Sequence, residues 1–201
     1  MSHPTSYLKD SLSSIVSRWN LLKNPFYVAW TEGRLSRRAL QAYAEEYGAF
    51  ISCLPEGWTT LSDAETTQEE QEHMELWDDF AEALDTKVGQ ARVPEVQALI
   101  DTTKELFSDQ NAAPGALYAF EVQQPETART KLDGLKTKYD LPKGVEPYFE
   151  AHLHNEHEAE KLFTRMESLD TDKREKALDA CRRMSESLWN ALEGLYFAYS
   201  A

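Results

Sequence analysis

The chain is short of turn-forming residues, of basic residues and of cysteine. Eight glycines and eight prolines in 201 residues, with few alternating runs of β-branched side chains, exclude a sandwich or barrel built of strands and tight turns. Lys and Arg number 21 against 35 Asp and Glu, a formal net charge of -14. Nucleic acid and anionic membrane surfaces would therefore repel it, which leaves small molecules or proteins as partners. The two cysteines, Cys53 and Cys181, have neither CxxC nor zinc-ligand spacing, so free thiols are expected. No apolar run approaches the roughly 20 residues of a membrane-spanning helix, and the N-terminus lacks the basic, apolar, small-residue succession of a signal peptide. These absences point to a cytoplasmic chain. No internal repeat or low-complexity linker divides it, so residues 1–201 are expected to form one domain with a sizeable core.

What is present is a 3.6-residue periodicity from end to end, the mark of an all-α fold. Ser36 offers an N-cap, Pro94 suits a first helical turn, and "LPKGVEPYF" separates two long segments. The spacing predicts helices over roughly 5–22, 36–53, 55–64, 70–86, 94–107, 113–138, 145–168 and 171–199. That makes seven helices, or eight if 55–64 stands alone.

Several apolar faces are interrupted by ligand-type residues. The stretch "YFEAHLHNEHEAEKLF" holds three of the five histidines. On a continuous helical wheel, His152 and Glu156 fall within about 20° of Val145, among Tyr148, Phe149, Phe163 and Met166, whereas His154, His157 and Glu150 fall with the solvated residues. A buried carboxylate needs a cation, a strong donor or a metal, and Glu156 is expected to have one. In "EEQEHMELWDDFAEAL", His73 shares a stripe with Leu76, Trp77, Phe80 and Leu84. Glu70 and Glu69 precede it at the Glu-x-x-His type of spacing used by carboxylate-bridged iron sites in helical bundles. In "GALYAFEVQQPETARTKLDGL", Glu121 lies on the face of Leu117, Phe120, Ala128, Leu132 and Leu135, with Lys131 near it. Pro125 removes the helical hydrogen bond to the Glu121 carbonyl and should kink the helix there. Any one inward histidine is more often an ordinary core residue than a ligand, but His73, Glu121, His152 and Glu156 together suit iron or manganese, with zinc an alternative.

At these residues the chain resembles the haem-oxygenase-like diiron oxidase superfamily, and within it the CADD-type branch associated with para-aminobenzoate synthesis for folate. The resemblance rests on "NPFYVAWTEGRLSRRALQAYAEEYGAF", "HMELWDDFAEAL", "YAFEVQQPETARTKLDGL" and "YFEAHLHNE", which occur in the family's order and span most of the chain. It implies a haem-oxygenase-like helical bundle of about seven to eight helices that holds one or two iron ions (manganese the alternative) and activates O2. The metal roles land on His73, Glu121 and His152, with Glu156 where the family usually has Asp. The resemblance further implies that Tyr27 is the source of the aminobenzoate ring and Lys131 the nitrogen donor. The other partner expectations are O2 with a small aromatic or amine substrate, or the protein's own Tyr, and a homodimer.

Two positions depart from the family pattern. Ala159 stands where a third His ligand belongs on the late helix. Thr66 stands where the first Glu belongs, which leaves Glu65, Glu69 or Glu70 to supply that carboxylate, Glu70 having the i-3 spacing from His73. Three other functions share the fold. A TenA-like thiaminase would need a nucleophilic Cys within "YAFEVQQ", where there is none. A haem oxygenase would need an axial His on the first helix, where His3 is the only candidate. A metal-poor member would act as a binding module, a reading that Ala159 favours.

Overall fold

The computed structural model describes residues 4–200, all of whose regular elements are helical; His3 lies outside them. Twelve α-helices follow in order: α1 (Pro4–Arg18), α2 (Pro25–Thr31), α3 (Arg37–Ala42), α4 (Gly48–Ile51), α5 (Leu54–Thr60), α6 (Ala64–Ala83), α7 (Pro94–Phe107), α8 (Ala113–Glu121), α9 (Gln124–Lys138), α10 (Pro147–Ala151), α11 (Glu156–Glu167) and α12 (Thr171–Tyr199). The count exceeds the sequence expectation because long predicted helices are broken by short irregular turns. A π-helical turn, Tyr43–Tyr47, separates α3 from α4, and a 3-10 turn, His152–His154, separates α10 from α11. Such interruptions inside helical runs often mark functional positions.

The long helix α12 forms the spine, packing along α7 and α8 and touching α1, α2 and α3. Its approach to α8 depends on Gly115, where a Cβ would lie 1.8 Å from the Ala177 carbonyl oxygen. A second group of helices closes over the opposite side: α6 against α5 and α10, α9 against α2 and α10, and α11 against α8. Between the two groups lies a core rich in large rings, including Trp30, Trp58, Trp77, Tyr43, Tyr47, Tyr148, Phe80 and Phe149, all less than 2% exposed.

Polar groups in this core are tied to specific jobs. Glu46, fully buried, accepts hydrogen bonds from the backbone of Arg92 (2.6 Å) and Val93 (2.7 Å) and from the Tyr199 hydroxyl (2.6 Å). It thereby joins the π-helical turn to the loop before α7 and to the end of α12, and a buried carboxylate with several donors is well satisfied. Helix α2 was not expected as a separate element, although Asn24-Pro25 carries a start signal. The Asn24 side chain accepts from Phe26 N (3.0 Å) while its amide donates to the Trp189 carbonyl (3.0 Å), and Pro25 opens the first turn. The seven-residue helix then docks on α9 at Gly134, whose absent Cβ leaves room for Trp30, and the Trp30 indole donates to the Lys131 carbonyl at 3.1 Å. This docking sets Tyr27 beside Lys131.

Candidate metal centre

Each ligand-type side chain owes its direction to a local break in the backbone. Asp63 caps α6 by accepting from Thr66 N at 3.1 Å, so the helix starts six residues earlier than the predicted 70 and is fully wound by Glu70. Glu70 is 1% exposed, and its Oε1 lies 3.3 Å from Nδ1 of the partly buried His73, one turn on. The kink expected at Pro125 is a complete break. Helix α8 ends on Glu121, two turn residues follow, and α9 restarts with Pro125 in its first turn. Gln123 in that break accepts from Leu21 N (2.9 Å) and donates to the Ala119 carbonyl (3.0 Å), which fixes the chain where Glu121 turns inward.

The third break corrects the wheel argument. His152 is buried as expected, and His154 and His157 are exposed, but Glu156 is also exposed and Glu158 takes the inward place. A continuous helix over 145–168 would put Glu156 beneath His152. Instead the chain tightens into the 3-10 turn and then leaves helical geometry at Asn155 (φ -87°, ψ 26°), so α11 begins with a different phase. Asn155 also donates to Glu158 Oε1 at 3.3 Å. Nothing short of the turn geometry would have indicated Glu158; an Asn immediately before a Glu-His-Glu run is the nearest sequence signal.

Four segments therefore converge. Ligand atoms of Glu70, His73 and His152 lie within 4.8 Å of one another, and so do those of Glu70, Glu121 and Glu158. A third trio, Glu69, His157 and Glu158, sits at the outer edge. His152 donates from Nδ1 to the Tyr148 carbonyl (2.7 Å), which leaves Nε2 with its lone pair and no partner among the described residues. Both oxygens of Glu121 and Oε2 of Glu158 are likewise buried and unpartnered. An orphaned buried polar group costs about 1–3 kcal/mol, so several in one small volume call for a ligand that all of them can share. A cluster of carboxylate oxygens with imidazole nitrogens, one imidazole fixed by a backbone carbonyl behind it, has the donor chemistry of an iron or manganese site. The residues present fit such an ion.

The protonation pattern agrees. Burial, then the neighbouring Glu158 and Glu70, raise the Glu121 carboxyl well above its ordinary value. Burial and Glu70 bring Glu158 up to about 7. Burial and the adjacent His73 push His152 down to about 3, which keeps its imidazole neutral. Burial opposes a proton on His73, but Glu70, Glu158 and Glu69 outweigh it and raise that group. Without a cation, the carboxylates share protons to limit their repulsion.

The expected departures have structural counterparts. Ala159 is buried beside Glu158 and offers no ligand atom. Thr66 is fully buried and accepts a 2.8 Å hydrogen bond from Lys161 Nζ. Of the three candidate acids, Glu65 is exposed, Glu69 is half-buried, and Glu70 belongs to both inner trios.

Tyr27 and Lys131 form a second constellation. Lys131 is 3% exposed, with its Nζ 3.3 Å from the Tyr43 hydroxyl and 3.5 Å from that of Tyr27. The same nitrogen lies 5.1 Å from the centres of the Tyr27 and Phe149 rings. The two hydroxyls are 3.1 Å apart. Burial lowers Lys131 to about 7 and raises the Tyr27 phenol, so near neutral pH this is a neutral amine against a neutral phenol. Rings link the two constellations: Tyr27 to Tyr43 (6.3 Å between centres), Tyr43 to Trp77 (5.4 Å), Trp77 to Tyr148 (4.6 Å) and Tyr148 to His152 (4.3 Å). Both cysteines are free and buried, and burial drives the Cys181 thiol up to about 12, the opposite of what a nucleophilic thiol needs.

Comparison with known proteins gives a consistent setting. Residues 56–189 match the profile of a haem-oxygenase-type family described as iron-containing redox enzyme. A 4-aminobenzoate synthase of Nitrosomonas europaea is 32% identical over 98% of this chain and 94% of its own length. A 4-aminobenzoate synthase of Chlamydia trachomatis is 29% identical over 92% of this chain and 90% of its own. Among solved structures, a TenA homologue of Pseudomonas syringae aligns with a TM-score of 0.74 at 15% identity, covering 96% of this chain and 92% of the other. A CADD-like protein of Nostoc punctiforme aligns with a TM-score of 0.70 at 16% identity, covering 97% and 95%. At such identities these two report the fold. No helix among the described residues is long and apolar enough to cross a membrane.

Proposed function

Because the chain belongs to the haem-oxygenase-like family of iron-containing redox enzymes, we propose that it forms 4-aminobenzoate with O2, drawing the ring from its own Tyr27 and the nitrogen from Lys131. The relatives named 4-aminobenzoate synthase support the product. The observation that carries the assignment to these two residues is the placement of a buried Lys131 amine, held by two tyrosine hydroxyls rather than by a carboxylate, over the Tyr27 ring.

Glu70, His73 and His152 would hold one ion, and Glu70, Glu121 and Glu158 a second, with Glu70 common to both. Ferrous iron bound there supplies the reducing electrons that O2 needs. Everything else falls to the protein. The rings of Phe26, Tyr43 and Phe149 pack around the Tyr27 and Lys131 side chains, with Trp30 against Tyr43, and keep water from them. Tyr43 holds both reacting groups, since its hydroxyl contacts the phenol and the amine, and it can carry a proton between them. The depressed basicity of Lys131 leaves its lone pair free near neutral pH, as nitrogen transfer requires. Tyr148, Trp77 and Tyr43 offer oxidisable rings in contact from His152 to Tyr27, so oxidising equivalents can move while Tyr27 stays sealed from the metal ligands.

The test is isotopic. Protein made with ring-labelled tyrosine and 15N-lysine is loaded anaerobically with ferrous iron, exposed to O2, and its small-molecule fraction read by mass spectrometry. Doubly labelled aminobenzoate is expected from the parent, and none from Tyr27→Phe protein carrying the same iron content. Unlabelled product, or product from the Tyr27→Phe variant, overturns the assignment.

A further inference from the structure

A cleft of about 500 Å³ opens on the surface between α8 and α11, beside α1. Its walls are apolar, made by Tyr118, Val122, Pro125, Ala159 and Phe163, and its inner end is Glu121. Glu121 is 1% exposed with both carboxylate oxygens unpartnered. The outer rim carries the exposed carboxylates Glu156 and Glu160, with Lys9 the one cation among the lining residues. The larger cavities elsewhere, along α6, at the α7–α12 edge and between α1 and α12, include none of the clustered ligands.

We propose that this cleft is the route by which a divalent metal cation reaches the centre, captured by Glu156 and Glu160 at the rim and passed inward to Glu121. The inference rests on reading Glu121 as a metal ligand and goes beyond it by giving the ion a path. Three features of the cleft fit a cation. Two carboxylates at the mouth raise the local concentration of positive ions, and largely apolar walls focus that field inward. Neither carboxylate oxygen of Glu121 at the end accepts a hydrogen bond. Ala159 matters as well, because its single methyl keeps the passage open where a longer side chain would fill the space between α11 and α8. Glu156, expected from the sequence to be a ligand, thus acts at the surface.

The experiment measures cobalt(II) uptake by the metal-free full chain, followed by the visible absorbance of the bound ion in a stopped-flow instrument. Parent protein is compared with the Glu156→Gln/Glu160→Gln pair and with Glu72→Gln/Glu75→Gln, which removes the same two charges from an exposed stretch of α6 away from the cleft. At low salt the rim pair should load more slowly by about fivefold or more, with the difference shrinking at high ionic strength and the final cobalt content equal to that of the parent. The α6 pair should stay within about twofold of the parent. A Lys9→Gln variant should load faster. Equal slowing by both pairs, or parent-like rates in the rim pair, overturns the route and leaves the metal centre standing. A parent protein that takes up no cobalt overturns the centre and the route together.

Discussion

Glu156 and Glu158 are two residues apart on one helix, yet Glu158 is 1% exposed and faces Glu70 and Glu121 while Glu156 lies in solvent. Residues two apart on a helix point to opposite sides, and the phase change at Asn155 decides which of this pair faces inward, which separates their consequences. Replacing Glu158 by Gln keeps the shape and removes a charge from the inner cluster; the affinity for ferrous iron should fall by about 10–100-fold. Replacing Glu156 by Gln should leave iron content at equilibrium unchanged. Titration with an iron chelator, read on both variants, distinguishes them, and the reverse ranking would mean that α11 has a different register.

Metal uptake should depend steeply on pH. Glu158 titrates near 7 in the metal-free protein, and Glu121 and His73 are both raised, so an incoming ion must displace their protons. Apparent affinity should weaken as pH falls below about 7, by about tenfold per pH unit for each proton displaced. Calorimetry in buffers of different ionisation enthalpy reads the proton count directly. No proton release at pH 6.5 would show that the carboxylates were already ionised.

Lys131 is shifted downward rather than upward, and its linkage acts on folding. Its folded value of about 7 lies below the ordinary 10.5, so between those values the unfolded chain binds more protons than the folded one, and this group makes stability rise with pH across that window. Below about 7 the folded protein must bury a charged amine. Lys131→Met lacks the effect; its melting temperature relative to the parent should therefore be more favourable at pH 6 than at pH 9.5. A difference independent of pH would place the amine in contact with water.

Gly115 is a purely structural control. A methyl group there would meet the Ala177 backbone of α12 at 1.8 Å, and neither helix backbone can give way locally. Gly115→Ala should cost about 3 kcal/mol or more in unfolding free energy, at the severe end for overpacking. Denaturant unfolding of metal-free protein measures this without reference to activity.

The parts of the fold visible in the sequence are those where one signal ran without interruption. Helices over 94–107 and 171–199 were expected at the bounds the structure has, because Pro94 suits the first turn of one and the periodicity stays in phase within each. His73, Glu121 and His152 stood out as polar residues on apolar faces, and all three are drawn together. Glu158 was hidden because a wheel carries its phase through any turn, and the 3-10 turn before Asn155 resets it. The π-helical turn that turns Tyr43 toward Lys131 has no sequence signature of its own; it depends on tertiary contacts such as those of Glu46.

Tyr27 is 3% exposed and wedged among Phe26, Tyr43 and the Lys131 amine. A polypeptide that surrendered that ring would keep a void in its interior, and deleting a buried aromatic side chain costs about 3–5 kcal/mol. That is a large fraction of the roughly 5–15 kcal/mol that holds a typical domain together. Spent molecules would then be the ones that unfold and are degraded first, so a cell's yield of the vitamin precursor would follow how fast ribosomes replace the protein.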